Sequence, residues 1–85
     1  MSANEEPPEQ LSDAELDRIL EELEAEESEV SRLRRRLHDR LASFPNEVTE
    51  QQEREVSKRR RELHVRIDAL RAERSKRRDD ATGDS

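Results

Sequence analysis

A fifteen-residue segment occurs twice in the chain, and its repeated polar side chains are the residues best suited to bind a ligand. Residues 27–41 and 53–67 are identical at nine of these fifteen positions. Helical bias explains repeated Leu and Glu, but not Ser, Arg and His in a fixed order. A repeated polar set predicts two half-sites for one ligand. The set is Glu27, Ser31, Arg34 and His38 in the first copy, and Glu53, Ser57, Arg60 and His64 in the second.

The central arginines indicate what kind of ligand this is. If the chain turns at about residue 47, antiparallel pairing sets Arg34 opposite Arg60. Two guanidinium groups that face each other repel, and an anion between them would remove the repulsion. Arg also forks onto phosphate oxygens and guanine edges. The spacing therefore predicts a small anionic ligand; the plain alternative is that both arginines extend into solvent from a loose seam.

Neither catalysis nor a metal site is predicted. In the same pairing, His38 lies opposite residue 56, so His64 is roughly 12 Å away along the axis. The chain contains no Cys. It also has no nucleophile–base set and no glycine-rich phosphate loop. We therefore expect a protein that is not an enzyme and holds no metal.

Two long helices must position the repeat. Ser12 and Glu15 form a capping-box pattern, and neither Pro nor Gly follows before Pro45. Pro45 lacks an N–H and restricts the residue before it, so it marks the turn. The second helix is predicted to start from Asn46, or from Thr49 with Gln52 as its capping partner. A short loop between two long helices gives an antiparallel hairpin.

The domain organisation follows from these signals. Helix 1 is predicted over residues 13–43 and helix 2 over residues 47–78, within one hairpin covering residues 12–78. Residues 1–11 are predicted as a disordered acidic tail and residues 79–85 as a second disordered tail. Apolar residues recur in alternating steps of three and four, which is typical of a coiled coil. The predicted fold class is all-α, an antiparallel coiled-coil hairpin.

One apolar stripe in helix 1 has no obvious cover. In the pairing described above, residue 20 faces Arg74 and residue 16 faces Arg78, so helix 2 offers few apolar residues opposite them. A partly uncovered stripe suits contact with a helix of another protein. The predicted partner-binding residues are Leu16, Ile19, Leu20 and Leu23.

Composition limits the remaining possibilities. Of 85 residues, 47% are charged and 28% are hydrophobic, which is too little apolar surface for a globular core but enough for a seam. The net charge of −6 argues against general nucleic-acid binding. No apolar run is long enough to span a bilayer, and the acidic start does not look like a signal peptide. We therefore expect a cytoplasmic protein without membrane contact.

The repeat resembles the signature of the actinobacterial RsiG anti-sigma proteins, E-x-x-x-S-x-x-R-x-x-x-Q-x-x-x-D, which occurs once on each helix of an antiparallel hairpin. The second copy supplies Asp68 at the last position, where the first copy has Ala42. His replaces Gln in both copies. The resemblance covers about residues 20–74, nearly the whole predicted hairpin.

The resemblance implies a ligand and a partner. Proteins of this family bind cyclic di-GMP as an intercalated pair, and the loaded hairpin sequesters a sigma factor of the WhiG (flagellar) class. The implied ligand residues are the eight repeated polar residues and Asp68. Ligand would overcome the arginine repulsion and set splayed helices into a partner-binding shape.

Other arrangements remain open from the sequence. A hairpin with one complete motif could form a homodimer that combines two second copies. A structural coiled coil that self-associates without a nucleotide is an alternative function. A third is a nucleic-acid or ribosome-associated hairpin that uses the basic runs 32–36 and 58–61.

Overall fold

The computed structural model describes residues 6–82 as a helical hairpin. Helix α1 spans Asp13–Ser43 and helix α2 spans Glu47–Thr82. The chain reverses direction between the two helices, and they pack against each other. This confirms the predicted all-α hairpin. Helix α2 continues beyond the predicted end at residue 78. Residues 1–5 and 83–85, parts of the two predicted tails, lie outside the described residues.

Helix α1 starts and ends through local signals. The Glu15 N–H donates to Ser12 Oγ at 3.2 Å, and the Ser12 N–H donates to Glu15 Oε1 at 3.3 Å. This capping box satisfies two amide groups that the first turn leaves without helical partners. At the other end, the Phe44 N–H donates to the Arg40 carbonyl at 2.7 Å before Pro45 stops the helix.

Helix α2 begins after Asn46, the first of the two predicted starts. Asn46 Oδ1 accepts from the Thr49 N–H at 2.8 Å, as an N-cap does. The Asn46 side-chain amide also donates to the Phe44 carbonyl at 2.8 Å. One side chain therefore caps α2 and ties it to the end of α1, which defines the turn.

The apolar core lies in the half of the hairpin farthest from the turn. Its side chains come from both helices and from Leu11 in the segment before α1, and Val30 packs against it. Nearer the turn the seam is mostly polar, with Leu37 and Thr49 as its buried residues. The core comprises Leu11, Leu16, Ile19, Leu20, Leu23, Leu63, Ile67 and Leu70.

The stripe predicted to bind a partner is part of this core, so its expected exposure is wrong. Leu20 is 1% exposed and the other three members are also buried. The cause is the register of the two helices. Residues that face each other across the helices are symmetric about a point between Pro45 and Asn46, rather than about residue 47. Any residue therefore faces a position about three earlier than expected, nearly one helical turn. Leu20 consequently meets the region of Leu70 instead of Arg74.

The segment before α1 belongs to the fold as well. Pro8–Gln10 forms a 3-10 turn, within the stretch predicted as a disordered tail. Leu11 follows this turn and is 3% exposed in the core. The Arg77 guanidinium donates to the carbonyls of Pro8, at 3.1 Å, and Leu11, at 2.6 Å. These contacts hold the segment against α2 and close the open end of the hairpin.

Most outward-facing side chains are charged. The large apolar residues that remain exposed are few and separate along the sequence. Within residues 6–82, neither helix contains an apolar stretch long enough to cross a bilayer. The exposed set is Leu33, Phe44, Val48 and Val65.

Truncating Leu11 tests the role of the first segment. We expect Leu11→Ala to lower the free energy of unfolding by about 2–5 kcal/mol, the usual range for emptying a buried Leu site. The matched control is Val48→Ala, which removes an exposed side chain and should change stability by at most about 0.5 kcal/mol. Urea unfolding followed by circular dichroism measures both. Equal, small effects would show that residues before α1 do not stabilise the hairpin.

Candidate ligand-binding site

The first half of the candidate site joins two residues of α1 to two of α2, and we call it the Glu27 cluster. Ser31 Oγ donates to Glu27 Oε1 at 2.7 Å. Arg60 Nε, from the opposite helix, donates to Ser31 Oγ at 3.1 Å. His64 Nε2 lies 3.0 Å from the same Glu27 oxygen, and Arg60 Nε lies 3.7 Å from it. The carboxylate therefore gathers one hydroxyl, one imidazole and one guanidinium.

The second half repeats this arrangement with the helices exchanged, and we call it the Glu53 cluster. Ser57 Oγ donates to Glu53 Oε1 at 2.6 Å, and Arg34 Nε donates to Ser57 Oγ at 3.1 Å. His38 Nε2 lies 2.8 Å from Glu53 Oε1, and Arg34 Nε lies 3.7 Å from it. Glu and Ser now come from α2, while Arg and His come from α1.

A pseudo-twofold axis relates the two clusters. The pairs Glu27–His64, Ser31–Arg60, Arg34–Ser57 and His38–Glu53 are all centred between Pro45 and Asn46. Corresponding distances agree closely, and the largest difference is that between 2.8 Å and 3.0 Å for the imidazole contacts. The two copies of the sequence repeat therefore form two structurally equivalent clusters. Each half of the site is composite, with two residues from each copy.

This geometry corrects the expectation that Arg34 and Arg60 lie opposite each other. Arg34 lies against Ser57 and Glu53, and Arg60 lies against Ser31 and Glu27. The Glu partner of each Arg comes from the opposite helix. The signal was present in the sequence, because equal spacing in both copies makes the pairing reciprocal. The hairpin therefore closes without needing an anion between the arginines.

The two carboxylates are held in their charged form. The hydrogen bond from Ser31 is the main reason that the pKa of Glu27 lies below its ordinary value, and the His64 contact adds to it. The pKa of Glu53 is lowered in the same way, first by Ser57 and then by His38. Partial burial opposes both shifts without reversing them. Charged carboxylates can then orient the Arg and His side chains.

The cationic side chains keep donors available for a ligand. The Arg34 and Arg60 side chains are 38% and 37% exposed. Among the described residues, both guanidinium groups make their contacts through Nε. The outer Nη groups can therefore form a planar fork onto a phosphate or a guanine edge. His38 and His64 are also exposed and can stack or donate beside them.

The ninth predicted ligand residue occurs beside one cluster only. Asp68 is exposed and lines a small groove together with Glu27, His64 and Arg71. Ala42 occupies the corresponding position of the first copy. Because the halves are composite, Asp68 extends the Glu27 cluster, and the Glu53 cluster has no such carboxylate. In residues 6–82, no three His, Asp or Glu side chains are placed to hold a metal ion.

The lowered carboxyl pKa values predict how stability depends on pH. A group with a depressed pKa stabilises the folded state above its unfolded value, near 4.5, and loses that effect as pH falls through the folded value. At pH 7, Glu27→Gln combined with Glu53→Gln should therefore lower the free energy of unfolding by about 0.5–1 kcal/mol per site. The gap from wild type should close towards pH 3.

Urea unfolding at a series of pH values measures that gap. Glu22→Gln is the control, because Glu22 is exposed and forms no ion pair with any described residue. It should show little difference from wild type at any pH. A gap for the double variant that stays constant down to pH 3 would contradict the role assigned to the two carboxylates.

Comparison with known proteins finds one similar family. Residues 46–85 match the model of the RsiG-like family, and this segment contains the whole second copy of the repeat. No curated protein and no solved structure matches the chain. The family match confirms the resemblance seen in the repeat and suggests an anti-sigma role. Through α2 and its copy of the motif, the chain is similar to the RsiG-like family.

Proposed function

We propose that the chain is a cyclic di-GMP-responsive anti-sigma factor that sequesters a sigma factor of the WhiG class. The general anti-sigma role comes from the family. The ligand and the class of partner come from the motif resemblance and from the chemistry of the site. The proposed activity is binding, with no reaction catalysed and no catalytic cofactor.

The observation that carries the ligand assignment is the pseudo-twofold pair of Glu–Ser–Arg–His clusters. Cyclic di-GMP is itself twofold symmetric, with two phosphates and two guanines. A symmetric ligand can make the same Glu, Ser, Arg and His contacts with each cluster, and Asp68 adds a further contact at the Glu27 cluster alone. An intercalated pair of molecules keeps this symmetry and supplies more base surface for stacking.

Each side chain of a cluster has a distinct part in this proposal. The free Nη groups of Arg34 and Arg60 bind phosphate oxygens or guanine edges. His38 and His64 stack on a base or donate one hydrogen bond, where the family signature has Gln. The two glutamates hold the Arg and His side chains in place through the contacts already described. Asp68 accepts from guanine N–H groups.

Gating by the ligand differs from the splaying expected from the sequence. The leucine-rich core already closes the far half of the hairpin. The half nearest the turn has few buried apolar residues, so it depends more on polar contacts. Ligand bound to both clusters would stabilise that half and increase the population able to bind the partner. The ligand can do this only if it binds the partner-competent form more tightly.

Nucleotide titration tests the ligand assignment. Calorimetry should show saturable binding of cyclic di-GMP with a Kd of about 1 μM or tighter. GTP should bind more weakly and cyclic di-AMP should not bind, because the site reads guanine edges. Purified WhiG-class sigma factor should be captured only with cyclic di-GMP present. Equal affinity for all three nucleotides would mean that the site recognises phosphate alone.

The composite halves predict unequal effects of two aspartates. Asp68→Ala should weaken cyclic di-GMP binding about tenfold to a hundredfold, as expected for loss of a hydrogen bond to a charged group. Asp39→Ala is the control and should change affinity by less than about threefold. Calorimetry on both variants measures the difference, and a silent Asp68→Ala would remove this residue from the site.

Introducing the missing Asp into the first copy distinguishes a site formed by one hairpin from a site formed by two. If a single chain provides both halves, Ala42→Asp should strengthen binding by completing the Glu53 cluster. If two chains combine their second copies, Ala42→Asp should have no effect. Affinity should then depend on protein concentration, which light scattering during the titration can follow.

A further inference from the structure

The repeat is broken at one position where the structure leaves an apolar side chain exposed. Leu33 corresponds to Arg59 in the second copy. Arg59 pairs with Glu26 across the helices, with Nη2 and Oε2 2.7 Å apart. The residues related to this pair by the repeat offset are Leu33 and Gln52, which cannot form an ion pair. Leu33 is 38% exposed, so one ion pair of the symmetric frame is replaced by an uncovered leucine.

Leu33 forms part of a groove between the two helices. Its apolar floor comes from Leu33, Leu37 and Val56, and Gln52 borders it from α2. Leu33 lies two residues after Ser31, about 200° around α1 at 100° per residue. It therefore occupies a different side of the helix from the candidate ligand site. A ligand bound to the clusters would leave this groove open, and we call it the Leu33 groove.

The rim of the Leu33 groove carries unpaired positive charge. Apart from the two His–Glu contacts of the clusters, the ion pairs of residues 6–82 involve arginines of α2 together with Arg34. Four other arginines, all between residues 32 and 40 of α1, are exposed and form no ion pair with any residue of 6–82. Two of them, Arg36 and Arg40, line the groove itself. The four are Arg32, Arg35, Arg36 and Arg40.

We propose that the Leu33 groove is the docking site for an amphipathic helix of the partner protein, with acidic residues flanking a large apolar side chain. The inference rests on the proposed anti-sigma function and assigns the surface that holds the sigma factor. Charge complementarity selects the occupant, because two unpaired guanidinium groups, Arg36 and Arg40, border the apolar floor from α1, against one carboxylate, Glu55, from α2. A nucleic acid fits less well, since Glu26, Glu29 and Glu55 also border this region and the chain carries a net charge of −6.

Two variants test the apolar and the charged parts of the groove. Leu33→Gln removes the exposed apolar side chain. Arg36→Glu introduces the residue that the second copy carries at the equivalent position, Glu62, so a helix of this hairpin already tolerates it. Each should weaken binding of the purified WhiG-class sigma factor, with cyclic di-GMP saturating, by about tenfold or more. Arg36→Glu should also reduce the salt dependence of affinity between about 50 and 200 mM.

Two control variants test whether the loss of sigma binding is specific to the groove. Val65→Gln changes an exposed apolar residue outside the groove, and Arg61→Glu reverses an exposed arginine of α2 that does not line it. Both should leave sigma affinity within about threefold. Circular dichroism and cyclic di-GMP titration on the same preparations should show that all four variants keep the fold and the ligand site.

The possible outcomes distinguish failure of the proposed docking site from failure of the proposed anti-sigma function. Unchanged sigma binding by Leu33→Gln and Arg36→Glu would overturn the groove and leave the anti-sigma function intact. Failure of the wild-type protein to bind the sigma factor at any ligand concentration would overturn both. Variants that lose affinity for a DNA duplex, or lose self-association, while keeping sigma binding would also overturn the proposal. Selective loss of sigma binding would support it.

Discussion

The antiparallel register, centred between Pro45 and Asn46, is the constraint on which every polar contact across the seam depends. The leucine core sets it at the open end and the Asn46 cap sets it at the turn. A register displaced by about three residues would set Arg34 against Arg60 and Glu27 against Ile67. Like charges would then meet, and a carboxylate would face an apolar side chain. The polar seam therefore penalises the alternative register, as polar positions do in other coiled coils.

Within that register, the serine hydroxyl connects each cluster. Ser31 donates to Glu27 on its own helix and accepts from Arg60 on the other, which uses both capacities of a hydroxyl. An Ala would break both contacts, and a longer side chain would hold the helices farther apart. Since the arginines are more than a third exposed, such pairs add little to stability. Their main effect is to orient guanidinium and imidazole groups before any ligand arrives.

Local signals in the sequence were sufficient for the helices but not for their offset. The Ser12 capping box and Pro45 predict one hairpin, because caps and proline act on neighbouring residues. Register depends on the loop geometry. An error of about one and a half residues in the predicted centre displaced every pair by about three residues and exchanged core and surface for Leu20. Leu11 was missed because its cover comes from a distant part of α2. The repeat selected the eight polar residues that the structure brings together, whereas their cross-helix grouping required the register.

The symmetric polar clusters and the Leu33 groove, where the repeat is broken, lie on different sides of this hairpin. The two clusters are nearly equivalent in their Glu, Ser, Arg and His contacts, which suit a twofold ligand, and they differ in the carboxylate of Asp68, where the first copy has Ala42. A single sigma factor has no such symmetry and must contact residues that differ between the copies. The exchange of an ion pair at Arg59 for exposed Leu33 is such a difference, and the unpaired arginines of α1 extend it. One repeated helix pair can thus present a symmetric surface to a nucleotide and an asymmetric surface to a protein.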